Sequence, residues 1–427
     1  MRILYVSHYF PPEMGAPAGR VAGLGRTWVR EGHEVHVLTG FPHHPTGVVP
    51  AEYRAALRRG YLRENLEGVT VHRTWIYPAA NRGKLLRSVN YLSFMLSAAA
   101  TGSLRIPRPD VVVATSPQLL CAAAGMLLAC RFRVPLVMEV RDLWPESLVA
   151  VGASRTSSPL VQLLEAVAHA LYRSAEHIVT VTEAQRAAIV ASGIGAQRVT
   201  VIPNGVDDSF MAQVDRESSA RAAGEFVVTY IGTLGMAHHL ETLLEAAHAM
   251  RKDPAVRFQL VGEGARRAAL EEKARALDLR NVTFIGERPR DEVARWICSS
   301  DACLVLLRQT PVFHTVVPSK MLEIMAAGCP MVLGVAGEAS TLLERAGAGI
   351  AIEPENSGQL VAALHRLRAD AALRRTLGDN GRRFVAAEFK REQLAARYLG
   401  ILKNLSGAVR PVTEKPYGET EPASEAR

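Results

Sequence analysis

Apolar residues recur along this chain at two wavelengths. Short runs rich in Val, Ile and Leu (ILYVS at 3–7, EVHVLTG at 34–40, VTVHRTW at 69–75, VVVATS at 111–116, LVMEV at 136–140, HIVTVT at 177–182) have the length and composition of buried strands. Between them, apolar positions spaced by three and four, such as Val21, Leu24 and Trp28, predict helices with one buried face. Strand, glycine-bearing loop, helix and strand make a βαβ unit, so the order predicts parallel sheets. The series restarts at FVVTYIGTLG (226–235) and runs through strands near 256, 281 and 302, with helices over 240–251, 265–278 and 290–299. The expected fold class is therefore α/β, with two doubly wound halves: 1–205 and 225–388, joined by a polar linker over 206–224. Residues 41–68 read as a long polar loop, 389–404 as an amphipathic helix, and 407–427 as a disordered tail rich in proline and charge.

One stretch, TVVPSKMLEIMAAGCPMVLGV (315–335), combines this patterning with chemistry. Pro318 fixes φ before a turn, and Ser319 reads as the N-cap of a helix whose buried face is Met321, Leu322, Met325 and Ala326, with Gly328 as its stop. A helix N-terminus presents free N–H groups and the positive end of a dipole, which suits an anion. Lys320 adds a full positive charge there, and Glu323, one turn on, suits a pair of ribose hydroxyls. The pattern fits a nucleotide diphosphate held by phosphates and sugar, and it fits equally an ordinary ion pair of residues three apart.

Composition narrows the field. Five cysteines without C-x-x-C spacing indicate neither a zinc site nor a disulfide framework, and no metal is expected. The chain enters a strand at once and holds no uncharged apolar run of membrane-spanning length, so neither a signal peptide nor a span is expected. The net charge is +8, and it is lopsided: residues 1–206 hold 21 Lys and Arg against 13 Asp and Glu, while the remainder is balanced. Few aromatics and no nucleic-acid motif accompany that excess, so an anionic membrane surface is the expected partner, not nucleic acid. The segment 82–106 fits this, with Arg82, Lys84 and Arg87 ahead of Tyr91, Leu92, Phe94 and Leu96. A helix packed on the sheet with a basic start fits it too.

Further candidates lie where strands of the first half end. Gly15 in HYFPPEMGAPAGR either lets a substrate approach the backbone or is a plain turn glycine. Ser116-Pro117 ends one strand; Glu139, Arg141, Asp142 and Trp144 gather at the end of another, forming either a polar site or an internal ion pair. His43 and His44 either line a site or, with no further ligand at metal spacing, sit on the surface, and the second reading is preferred.

The motifs SHYFPPE, VREGHEVHVLT, TSPQL, RDLWP, VIPNGVD, VGEG, FIGE and P-S-K-x-x-E-x-M-A-A-G-x-P, in this order and spacing, resemble retaining GT-B glycosyltransferases of family 4. The resemblance spans all but the tail, and it is nearest the bacterial branch that builds cell-surface polysaccharides, including N-acetyl-L-fucosamine transferases. It implies two Rossmann-like domains facing a cleft and a last helix returning to the first domain. It implies a nucleotide sugar, UDP-linked, as substrate with no cofactor, a lipid-linked saccharide acceptor, and a cytoplasmic enzyme on the inner face of the plasma membrane. Gly262, Glu263 and Gly264, with Gly286, Glu287 and Arg288, then lie near the base. Glu323 takes the ribose, while Pro318, Ser319 and Lys320 face the diphosphate.

Three positions depart from the family pattern. The first of its two glutamates falls on Thr315, its diphosphate Arg and Lys fall on Thr233 (beside Gly232) and His238, and its N-domain histidine falls near Ser116. Lys320 and Arg308 are the candidates to meet the phosphate charge, with His238 contributing if protonated. Lys320 and Glu323 are the expected catalytic pair, and Asp142 or Glu13 would orient the acceptor hydroxyl, with Gly15, Ser116 and Arg141 on the acceptor side. A sugar-nucleotide epimerase and a non-catalytic partner protein are the competing readings.

Overall fold

The computed structural model describes residues 1–13, 15–44, 46–80, 84–116, 118–143, 159–217 and 224–407. The first domain is an eight-stranded sheet: β1 (Arg2–Val6), β2 (Glu34–Gly40), β3 (Tyr61–Leu66), β4 (Val69–Thr74), β5 (Val111–Thr115), β6 (Leu136–Val140), β7 (His177–Thr180) and β8 (Val199–Val201). Its spatial order is β3-β4-β2-β1-β5-β6-β7-β8. The second sheet holds β9 (Phe226–Ile231), β10 (Val256–Val261), β11 (Val282–Gly286), β12 (Ala302–Leu306), β13 (Met331–Gly334) and β14 (Gly349–Ala351), in the order β11-β10-β9-β12-β13-β14. All pairs are parallel except β3 with β4. Helices bury both faces of each sheet, which is why the strands read as unbroken apolar runs.

Two stretches of the sequence hold more structure than their polarity suggests. Residues 41–68, expected as a loop, contain the helix Ala51–Arg59 and β3, which turns back onto β4 through Glu67 and Gly68 at φ 54° and 87°. β3 is an edge strand with only partly covered side chains, so its sequence carries little apolar signal. The polar linker over 206–224 contains the helix Asp208–Glu217, whose Phe210 and Val214 are buried in the core of the second domain. Residues 218–223 of that linker lie outside the described residues.

The last helix, Arg391–Gly407, returns to the first domain as expected. Trp28 Nε1 donates to the Ala395 carbonyl at 3.0 Å, and Tyr398 meets the Trp28 ring edge-on at 5.4 Å. Arg391 joins both halves at the hinge, donating to the carbonyls of Gly19 (3.1 Å) and Gly205 (2.6 Å) and pairing with Asp207 at 2.7 Å. The tail beyond Gly407 lies outside the described residues.

Candidate active site

In a doubly wound sheet, ligands bind beyond the carboxyl ends of the strands where the winding reverses. Here these points lie between β1 and β5 in the first domain and between β9 and β12 in the second. The carboxyl edges of the two sheets meet. Thr182, just past β7, donates its hydroxyl to the Thr315 carbonyl at 2.9 Å, in the loop after β12. Glu338, just past β13, accepts from the backbone N–H groups of Glu183 (2.9 Å) and Ala184 (2.7 Å), the first turn of the helix Glu183–Ala191. A carboxylate on a helix N-terminus is a favourable charge–dipole contact.

On the second domain, the helix Ser319–Ala326 begins at the switch point. Its N-cap is Pro318, not Ser319, and no side chain caps it. Proline suits that place because extended backbone is required and no N–H is lost, so Ser319 is already helical and the first N–H groups face outward. Gly328, at φ 66°, stops the helix as expected.

Lys320 turns away from Glu323. Its Nζ donates to the Tyr230 hydroxyl at 3.0 Å and lies 4.2 Å from the centre of that ring, and the Tyr230 hydroxyl donates onward to the Thr233 carbonyl at 2.8 Å. Gly232 makes room for the amine: its φ is 134°, and a Cβ there would stand 2.6 Å from Lys320 Nζ. Burial lowers the Lys320 pKa to about 8, against a smaller upward pull from Glu323. The helix-surface ion pair of Lys320 with Glu323 does not form; Glu323 is held instead by a two-point bond from Arg290.

His238 packs edge-on to Tyr230, with Nδ1 3.2 Å from the Leu306 carbonyl. Burial, and next the Lys320 charge, push its pKa down to about 4. The condition on which His238 would help meet the phosphate charge, that it be protonated, is not met at neutral pH. Arg308 is exposed on the neighbouring loop, its N–H donating to Ala237 at 2.8 Å. Gly262 and Gly264 let the loops after β9 and β10 touch, since a Cβ at Gly262 would meet the Gly232 carbonyl at 2.0 Å. Glu263 is engaged by Arg267, whereas Glu287 and Arg288 are exposed beyond Gly286, with Arg288 over the Trp296 ring.

On the first domain, Glu13 is buried, and one oxygen accepts from the N–H groups of His43 (3.0 Å) and His44 (2.9 Å). The other oxygen has no partner among the described residues. Burial raises the Glu13 pKa, and the two N–H bonds only partly offset it. His43 is a core residue, not a surface one, bonded to the Phe41 carbonyl (2.9 Å) and to Asn90 (3.0 Å). Gly15 stands at φ 136° and opens the helix Ala16–Arg30, a conformation that itself calls for glycine. Ser116 is buried and accepts from the Arg141 N–H at 3.1 Å. Asp142 stands beside Arg141, and burial raises its pKa more than the Arg141 charge lowers it. Glu139 is no site residue: it is fully buried and paired with Arg20 at 2.9 Å. Pro117, Trp144 and Arg82 lie outside the described residues. Among the described residues, no three His, Cys, Asp or Glu side chains are grouped to hold a metal.

The family described as glycosyl transferase 4-like domain matches residues 15–205, and glycosyl transferases group 1 matches 211–384. The chain is a two-domain GT-B glycosyltransferase. This glycosyltransferase is 26% identical over 387 residues to the putative colanic acid biosynthesis glycosyl transferase WcaI of Escherichia coli K12, covering 86% of this chain and 92% of WcaI. Its fold matches the sucrose-phosphate synthase of Thermosynechococcus elongatus with a TM-score of 0.76 at 20% identity, over 95% and 99% of the two chains. It also matches Anabaena HepE, solved with UDP-glucose, with a TM-score of 0.68 at 18% identity, over 95% and 100%.

Of the residues expected at the donor site, the structure brings Gly232 and His238 next to Lys320, with the Arg308 backbone on the loop bonded to Ala237. Tyr230 and Arg290 were missed. Tyr230 is one apolar letter inside a strand, and Arg290 is one of many surface arginines, so neither carries a local signal.

Proposed function

We propose that this glycosyltransferase moves a sugar, an N-acetylated amino sugar, from a UDP-linked donor to a hydroxyl of a lipid-linked glycan, with retention of configuration, in bacterial surface-polysaccharide assembly. The observation that carries the reading is the uncapped N-terminus of the helix at Ser319, with the Lys320 amine beside it and the Glu323 carboxylate one turn on. The names of WcaI and HepE's bound UDP-glucose point the same way. In the transfer, the acceptor oxygen bonds to C1 of the sugar while the bond from C1 to the diphosphate oxygen breaks. The electron pair stays on the diphosphate, and the acceptor's proton passes to it. The helix N–H groups, Lys320 and Arg308 stabilise that growing charge, and Glu13 or Asp142 orients the hydroxyl. No resident cofactor enters this scheme. Thermal shift with UDP and GDP, followed by a panel of nucleotide sugars with a lipid-linked acceptor, tests it; the absence of any stabilisation by either nucleotide would sink it.

A pH dependence follows from Lys320. In the free enzyme its amine loses its proton near pH 8, so UDP affinity is expected to fall up to about tenfold per pH unit above that point. Calorimetric titration between pH 6.5 and 9.5 checks this, and Lys320→Arg should flatten the alkaline limb.

The acceptor's lipid sets a second expectation, that the enzyme sits on the inner face of the plasma membrane. No helix among the described residues is long and apolar enough to cross a membrane. The helix Lys84–Arg105 packs Phe94 and Ala98 onto the sheet and leaves Leu85, Leu86, Val89, Leu92 and Leu96 exposed, Leu85 at 77% and Leu96 at 60%. Leucines on one face, following Arg82, Lys84 and Arg87 in the sequence, suit an anionic lipid surface. Glutamate at Leu85 and Leu92, or neutralisation of the three cations, is expected to abolish sedimentation with anionic liposomes. Unchanged sedimentation would remove the membrane from the account.

A further inference from the structure

We infer that Arg290 is a positioning residue that fixes the Glu323 carboxylate for the ribose hydroxyls. The inference rests on the proposed donor site. Its two guanidinium nitrogens bond the two Glu323 oxygens, Nη1 to Oε2 at 3.1 Å and Nη2 to Oε1 more closely. Pro289, extended at φ −54° and ψ 151°, turns the chain so that Arg290 opens the short turn Arg290–Glu292 after β11. The guanidinium also lies over the Phe210 ring, its carbon 5.7 Å from the centre, and Phe210 is buried in the helix that follows the hinge. Arg290 is thus held between a fixed aromatic ring and the carboxylate.

A carboxylate has about four lone-pair positions, and a two-point arginine uses two. The remaining two accept a pair of adjacent hydroxyls. The Glu323 side chain is 17% exposed, so the fork does not seal it from solvent, and Arg290 itself is 55% exposed. Without the fork, the carboxylate is free to rotate, and recognition of two hydroxyls at once is lost. Arg290 therefore acts through Glu323.

The test compares UDP with 2′-deoxy-UDP by calorimetry, with GDP and 2′-deoxy-GDP run in parallel, in the parent, Arg290→Ala and Arg290→Lys. The parent is expected to prefer the ribonucleotide roughly ten- to a hundredfold, the value of one hydrogen bond to a charged group. Both variants are expected to lose that preference to within about threefold through weaker ribonucleotide binding, with unfolding midpoints unchanged. Lysine fails because a point charge lacks the fork. If Arg290→Ala keeps the preference, or binds UDP more tightly, Arg290 does not position Glu323. If Arg290→Lys restores the full preference, charge and not the fork is what matters, and the inference is likewise overturned. If the parent binds the nucleotides without preference, the ribose reading of Glu323 falls first.

Discussion

Alanine at position 320 is expected to slow sugar transfer roughly a hundred- to a thousandfold, the usual loss when one preorganised donor to a developing oxyanion is removed. The fold should survive. The Lys320 amine is desolvated, and its contacts are a tyrosine hydroxyl and ring, so no buried carboxylate is orphaned by its removal. The Tyr230 hydroxyl keeps its own acceptor, the Thr233 carbonyl. Linkage points the same way. A lysine whose pKa falls from 10.5 to about 8 on folding binds its proton more tightly in the unfolded chain, so the native state is disfavoured at every pH below about 8. The variant should therefore unfold at or near the parent's midpoint while its steady-state rate collapses. Glu323→Ala should also abolish transfer with the fold intact. Transfer by Lys320→Ala within a few-fold of the parent would remove Lys320 from the diphosphate site.

The largest loss of stability is expected from Arg20→Ala. Arg20 is buried, donating to Glu139 (2.9 Å) and to the carbonyls of Ile202 (2.9 Å) and Pro203 (2.8 Å) at the hinge. Glu139 is fully buried and also receives the hydroxyls of Tyr5 (2.6 Å) and Thr115 (3.1 Å). Removing one partner of a buried ion pair costs about 3–5 kcal/mol, or roughly 10 °C in the midpoint of a domain this size. The sign with pH is definite. In the parent, burial is the largest influence on Glu139 and opposes its charge, but Arg20, Arg141 and the Tyr5 hydrogen bond together outweigh it, so the carboxyl sits below its ordinary pKa. Its stabilisation is present above the unfolded pKa and fades as pH falls through the folded one. In the variant the main part of that compensation is gone while the burial stays, the folded pKa rises, and stability is lost as pH rises. The deficit should be smaller at pH 5 than at pH 7.5, and scanning calorimetry at both reads it. A drop under about 3 °C would mean that the pair is not what holds the first domain to the hinge.

The contrast between those two residues shows what the sequence makes legible. Lys320 lies in a local sentence, with proline, serine, a helical apolar face and a stopping glycine within eleven residues, and it was found. Arg20 and Glu139 are 119 residues apart and meet only because β1 and β6 flank β5. Nothing local marks them, so Glu139 looked like one of two carboxylates at a strand end. The parallel strands were legible because burial on both faces makes them uniformly apolar. β3 and the helix after the hinge were not: one is a half-covered edge, and the other hides Phe210 and Val214 among polar letters. His43 was misjudged for a related reason, since its cover comes from Asn90 on a helix that its neighbours do not announce.

The tie from Thr182 to the Thr315 carbonyl makes the loop ahead of the Ser319 helix in one lobe depend on the other lobe's placement. Glu338 seated on the Glu183 helix end is a second such tie, so if the proposed donor site holds, release of spent nucleotide is expected to need both contacts to loosen. Turnover would then be paced by the breathing of the two lobes as much as by bond-making, and a solvent made more viscous should slow it.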